Sequence, residues 1–319
     1  MGDDRQLPEG GREGRGVPDG GNGVERTRQA VGAARASVVT ASLLGGMKLL
    51  AAIFTGSLAM AASFVDSLMD VFASSVNLIA VRIGGRPADA DHRYGHGKAE
   101  GLAGMFQGAV VGFSGLFLAA ESVRRLVVGG VVTHEAAGLV VMAVSTAASV
   151  WITWLLRRTA KATGSVALSA DSVHYASDVW MNAGVFAALL AVRLTGAAWI
   201  DAAVGLGVAG IVVRSSWSVL KASLDELMDR DMGPAVERDI RSAIAQGVPE
   251  ARVVRDVKTR RAGPNRFVDL TVGFDRRLAF AEAHRLSEKV RRAVAEAVPG
   301  AEVNVHADPD PLVPADHAS

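Results

Sequence analysis

Four ionisable residues of this sequence stand inside otherwise apolar stretches, at a spacing that suits a metal ion. In SFVDSLMDVFASSVN, Asp66 and Asp70 are i and i+4. On a helix they stack on one face, and Asn77 continues that face. In ADSVHYASDVWMN, His174 and Asp178 repeat the spacing, and Asn182 extends it. An ionisable group in a bilayer costs about 2.5–3.5 kcal/mol on insertion scales. Four of them need a compensating partner, and a divalent cation supplies one. Zinc takes four ligands from imidazole and carboxylate at about 2.0–2.2 Å. Two other readings fit the same residues: protonated carboxylates bonding between helices, or a proton channel without metal. Matched pairs on two helices favour the metal.

Other chemistries are excluded by composition. The chain has no cysteine, which removes disulfides, thiolate catalysis and thiolate metal sites. The donors left suit zinc, iron, manganese or cadmium better than copper(I). A net charge of +1 gives no support for nucleic acid as a partner. An intramembrane metallohydrolase would need a general base in a motif such as HExxH, and the sequence has none.

These residues need membrane helices to position them. About 20 mostly apolar residues span a bilayer. Six candidates run over 37–56, 58–83, 100–124, 134–156, 166–192 and 199–220. Spans one and four have the Gly and Ala content of close packing in lipid. Basic residues orient the spans. Arg26, Arg28 and Arg35 precede the first. Arg82, Arg86, Arg93 and Lys98 follow the second, and Arg157, Arg158 and Lys161 follow the fourth. The alternate connections carry only Arg124, Arg125 and Arg193. Both termini are therefore expected in the cytoplasm. Lys48, inside the first span, is expected to snorkel or to pair with a carboxylate.

Residues 1–28 are rich in Gly, Arg and acidic side chains and lack the apolar core of a signal peptide. We expect residues 1–32 to be a disordered tail, 33–222 a six-helix transmembrane domain, 223–312 a cytoplasmic α/β domain and 313–319 a second tail. In the cytoplasmic part, helices are expected over 233–246 and 280–297, and strands over 251–260, 266–274 and 301–306. Ala262-Gly263-Pro264-Asn265 would turn a hairpin between the first two strands. The order α-β-β-α-β fits a small sheet with helices on one face.

Two further groups could bind metal. In PADADHRYGHGKAE, Asp89, His92 and His96 are either ligands at the cytoplasmic mouth or a solvated loop. Lys98 in the same segment could pair the membrane and soluble parts. His284 opens the last helix, and His306 and Asp308 point the same way from the last strand. With Asp269 or a neighbouring chain they could hold metal, or they could be surface side chains.

From about residue 35 to 312 the sequence resembles the cation diffusion facilitator family. VDSLMD, VHYASDVWMN, PADADHRYGHGKAE, RFVDLTVGF and VNVHADP carry the likeness, which is greatest to its bacterial zinc and ferrous-iron efflux branch. The resemblance implies an α-helical membrane protein with six transmembrane helices and a metallochaperone-like cytoplasmic α/β domain. It implies a Y-shaped homodimer in the bacterial inner membrane, working as a metal-for-proton antiporter rather than an enzyme. Zinc would be the substrate, with Fe2+, Cd2+, Co2+ and Mn2+ also compatible. Asp66, Asp70, His174 and Asp178 then match the transport site, and Asp89, His92 and His96 the loop site. His284, His306 and Asp308 match part of a two-metal cytoplasmic site, at which this chain is expected to hold one metal, with Asp269 assisting, or none. Lys98 and Asp229 match a charge interlock that fixes the dimer near the membrane surface. Where the best-known members carry two further histidines, this chain has Arg255 and Thr271. The alternative to transport is a metal-sensing scaffold with the same fold and little flux.

Overall fold

A computed structural model describes residues 20–55, 58–128, 136–195, 197 and 199–310. Among the described residues, six helices are long and apolar enough to cross a membrane. They are α1 (Gly20–Thr55), α2 (Leu58–Gly84), α3 (Lys98–Val128), α4 (Ala136–Thr163), α5 (Val166–Thr195) and α6 (Trp199–Leu227). Large apolar side chains such as Phe113, Phe117, Phe186 and Trp217 stand exposed on them, as lipid-facing residues should.

α1 begins at Gly20, inside the 1–32 stretch that the sequence suggests is a disordered tail. Ala30, Ala33 and Ala34 bury against a core containing Leu156, Leu168 and Tyr175. Gln29 also donates to Glu25 at 3.1 Å one turn back. Tertiary packing thus overrides a polar composition that reads as disorder. The rest of that tail (1–19) and the expected C-terminal tail (313–319) lie outside the described residues.

Glycine determines how α3 meets α6. Gly101, Gly104, Gly108, Gly112 and Gly115 recur at helical spacing on one face of α3. A Cβ at Gly104 would sit 2.5 Å from Ser223 Oγ, and one at Gly112 would sit 2.6 Å from Ser216 Oγ. The absent side chains let Ser216 Oγ donate to the Gly108 carbonyl at 2.7 Å. The small-residue seam expected in spans one and four is therefore most developed in the third.

The turn between α4 and α5 is built from two residues. Gly164 takes φ +76°, and its N–H returns to the Ala160 carbonyl at 2.7 Å. That left-handed residue ends α4. Ser165 Oγ then accepts the Leu168 N–H at 3.2 Å and caps α5. This start sets the register of the helix that carries His174 and Asp178.

The chain divides into two compact units. One comprises residues 24–232 and 259–266, and the other includes residues 233–258 and 267–310. The expected boundary at 222/223 falls inside α6, which continues to Leu227. The hairpin tip also belongs to the membrane unit. There Glu226 accepts the Gly263 N–H at 2.8 Å, and Arg261 donates to the Gly164 carbonyl at 3.4 Å.

The second unit holds α7 (Pro234–Gly247), α8 (Phe280–Ala297), β3 (Ala301–Pro309) and, apart from the hairpin tip at 259–266, β1 (Val253–Ala262) and β2 (Asn265–Phe274). The sheet order is β1-β2-β3, the α-β-β-α-β arrangement read from periodicity. Ile240 and Ile244 of α7 and Leu286, Val290 and Val294 of α8 are buried, as are Val268, Leu270 and Val272 of β2.

Candidate metal centre

The register of α2 and α5 brings Asp70, His174 and Asp178 together. One ligand atom from each lies within 4.8 Å of the others. His174 Nε2 is 3.0 Å from Asp70 Oδ1. The Asp70 and His174 side chains are only 25% and 12% exposed, so solvent screens this pair weakly. Asp66 is outside the group and exposed. It sits one turn from Asp70, about 6 Å along the axis and 40° around it, so sharing a face does not by itself make the carboxyls converge.

A carboxylate not singled out by sequence reasoning lies beside this group. Asp171 is fully buried on α5. It accepts Ser37 Oγ of α1 at 2.6 Å and Ser74 Oγ of α2 at 3.4 Å. Ser37 and Ser74 are themselves 2.9 Å apart. The Tyr175 hydroxyl donates to the Ser37 carbonyl at 3.2 Å and lies 3.2 Å from Ser74 Oγ. Three helices are thus pinned around one carboxyl. The signal was present in the sequence, since 171, 174, 175, 178 and 182 form one stripe at helical spacing. Asn77, also on α2, is buried beside Asp171. Asn182 instead donates to Thr146 Oγ1 at 2.9 Å.

Among the described residues, Lys48 takes no carboxylate as its hydrogen-bond acceptor. Its ammonium donates to Ser67 Oγ at 2.7 Å.

Asp89, His92 and His96 form the second convergent group. The Asp89 carboxylate accepts the backbone N–H of His92 at 2.7 Å and of Asp91 at 3.0 Å. The His92 bond is the chief cause holding its pKa below the ordinary carboxylate value. The turn so formed brings His96 Nε2 to 3.3 Å and His92 Nδ1 to 3.6 Å from Asp89. His96 Nδ1 is buried without a hydrogen-bond partner among the described residues.

Lys98 and Asp229 meet at 3.1 Å. Lys98 also donates to the Leu227 carbonyl at 3.2 Å, and Arg260 reaches Asp229 at 3.3 Å. Partial burial opposes the Asp229 charge, but the Lys98 bond and the two cations outweigh it and lower its pKa.

The cytoplasmic candidates are not gathered. His306 Nε2 and Asp308 are 3.0 Å apart, and Arg255 reaches the other Asp308 oxygen at 3.5 Å. His284 stacks on Phe280 instead, and Asp269 is exposed. These four do not form a convergent ligand group within the chain. Thr271, like Arg255, is partly buried.

Comparison with known proteins agrees with this layout. The cation efflux transmembrane domain matches residues 34–228, and the cation efflux protein cytoplasmic domain matches residues 233–310. The cation-efflux pump FieF of Cronobacter sakazakii is 34% identical over 88% of this chain and 93% of its own length. FieF of Klebsiella pneumoniae subsp. pneumoniae is 34% identical over 89% of this chain and 94% of its own. Among solved structures, the metal-bound C-terminal domain of the CzcD transporter from Thermotoga maritima is 24% identical. It covers 24% of this chain and 87% of its own, with a TM-score of 0.23. With both family domains present in order across six apolar helices, the chain belongs to the cation diffusion facilitator family of cation-efflux transporters.

Proposed function

We propose that the chain exports zinc from the cytoplasm in exchange for protons, through a site of Asp66, Asp70, His174 and Asp178. The convergence of Asp70, His174 and Asp178 between α2 and α5 carries this reading. One imidazole with carboxylates suits zinc and cadmium and tolerates Fe2+, Co2+ or Mn2+. Asp66, one turn away, completes the set by a side-chain movement as the site loads.

Ligands must lose protons to hold metal. Metal arriving from the cytoplasm displaces protons from His174 and the carboxylates, and protons from the far side reverse the exchange. Histidine suits this role because its ordinary pKa is about 6.5. Access alternates by helix rearrangement around the site. The loop group of Asp89, His92 and His96 takes a second metal at the cytoplasmic mouth. The protein works as a homodimer in the bacterial inner membrane with both termini in the cytoplasm. The Lys98–Asp229 pair steadies the dimer near the membrane surface. In the cytoplasmic domain Arg255 supplies Asp308 with a tethered cation, so His284, His306, Asp308 and Asp269 hold metal weakly and only with a partner chain's help.

The test is zinc uptake into dye-loaded proteoliposomes under a pH gradient. Wild type should carry gradient-dependent flux that disappears in Asp70→Ala and Asp178→Ala. Normal flux in both variants would refute the site. Absence of flux with any divalent metal would favour the sensing scaffold.

A further inference from the structure

Lys48 is the only basic residue of α1 beyond Arg35. Its level in the membrane follows from how α1 pairs with α2. Ser37 bonds to Ser74, a Cβ at Gly45 would lie 3.6 Å from the Ser67 Cβ, and Lys48 bonds to Ser67. Contacts that rise along one helix as they fall along the other make the two antiparallel. Lys48 is therefore about 10 Å in from the α1 end at Thr55, and Ser67 about 13 Å in from the α2 start. The small Gly45 allows the close approach that brings the ammonium to a hydroxyl only 1% exposed as a residue.

Ser67 is neutral. It satisfies one ammonium proton but cannot balance a charge held inside a membrane. The carboxylates of the metal site are the candidates for balancing it. Ser67 follows Asp66 directly and precedes Asp70 by one turn, and Lys48 is within electrostatic range of Asp178.

We propose that the Lys48 ammonium is the tethered counter-ion of the unloaded transport site, setting how tightly the metal is held and how fast it leaves. This rests on the transport-site assignment above. With the site empty, the ammonium offsets part of the carboxylate charge. When a divalent ion enters, the ammonium repels it, which weakens binding and speeds release. Lys48 is thus a positioning residue that acts through the carboxylates.

On a His92→Ala/His96→Ala background, which removes the loop zinc, the experiment compares the otherwise wild-type chain with Lys48→Met, Lys48→Arg and Asp178→Ala as full-length protein, by zinc titration in detergent and by flux in proteoliposomes. Removing one positive charge near a divalent ion should tighten zinc binding by roughly tenfold or more. Both the KM and the maximal rate of Lys48→Met should fall, while Lys48→Arg stays near wild type. A merely structural lysine would give weaker binding instead. Zinc affinity in Lys48→Met within twofold of wild type, or tightening shared by Lys48→Arg, would overturn the proposal. If Lys48→Met does not fold, Lys48→Gln removes the same charge and is judged by the same criteria. Asp178→Ala separates the two assignments. Retained binding and flux there refute the site itself. Lost binding there with an unshifted Lys48→Met refutes only the counter-ion.

Discussion

Replacing Asp171 by alanine tests the hydrogen-bonded pin between α1, α2 and α5. The carboxylate accepts one strong bond from Ser37 at 2.6 Å and one weak bond from Ser74 at 3.4 Å. A hydrogen bond to a charged group contributes about 1.5–3 kcal/mol in water-soluble proteins. Between membrane helices the measured average is about 0.6 kcal/mol, with a maximum near 1.7. Taking the upper membrane value for the short bond and the average for the long one, Asp171→Ala should lose about 2 kcal/mol. Ser37→Ala, which removes one donor, should lose about 1.5 kcal/mol on the same scale. Because the two residues share a bond, the double variant should lose less than the sum, with a coupling of about 1–1.5 kcal/mol. The assay is reversible unfolding of the purified protein in mixed micelles, monitored by its tryptophans. Additive losses would refute the pin. So would an Asp171→Ala protein as stable as wild type.

Other consequences are as direct. A side chain at Gly104 would meet Ser223 Oγ at 2.5 Å and Val166 Cγ1 at 3.1 Å, so Gly104→Val should cost about 1–3 kcal/mol by overpacking. An unchanged melting temperature in detergent would contradict the tight α3–α6 seam. The Lys98–Asp229 pair is 43% and 40% exposed, so Lys98→Ala should cost no more than about 1 kcal/mol. Because the Asp229 pKa is lowered in the folded state, that contribution is complete above the ordinary aspartate value, about 3.9. It is lost as pH falls through the lowered folded value. A stability difference between wild type and Lys98→Ala that changes between pH 6 and 8 would count against this pairing. Finally, His92→Ala/His96→Ala should remove one zinc per protomer in equilibrium dialysis while leaving flux at saturating metal within a few-fold. Complete loss of flux would place the loop group in the transport path instead.

The parts legible in the sequence are those written in a repeated period. Asp66, Asp70, His174 and Asp178 are conspicuous because ionisable side chains at i, i+4 interrupt apolar helices. Of these, the structure gathers Asp70, His174 and Asp178 and leaves Asp66 exposed. Carboxyl convergence depends on rotamers, which spacing does not encode. Asp171 shares their stripe but escapes notice, because its partners Ser37 and Ser74 lie on other helices and serine is unremarkable in membrane spans. The hairpin between β1 and β2 is marked by Gly263-Pro264. Its docking through Gly263 onto Glu226 is not, since nothing local links residues so far apart. The early start of α1 at Gly20 was hidden for the same reason: the alanines that hold it find their partners on α4 and α5.

The claim on which the rest depends is that the transported metal is held by His174 with the aspartates of α2 and α5. X-ray absorption at the zinc edge measures those ligands directly. On a His92→Ala/His96→Ala background, the spectrum should show one imidazole with oxygen ligands, all at about 2.0–2.2 Å. Adding His174→Ala should remove the imidazole signal. An imidazole shell that survives that change, or a protein that binds no zinc with His174 intact, would contradict the account.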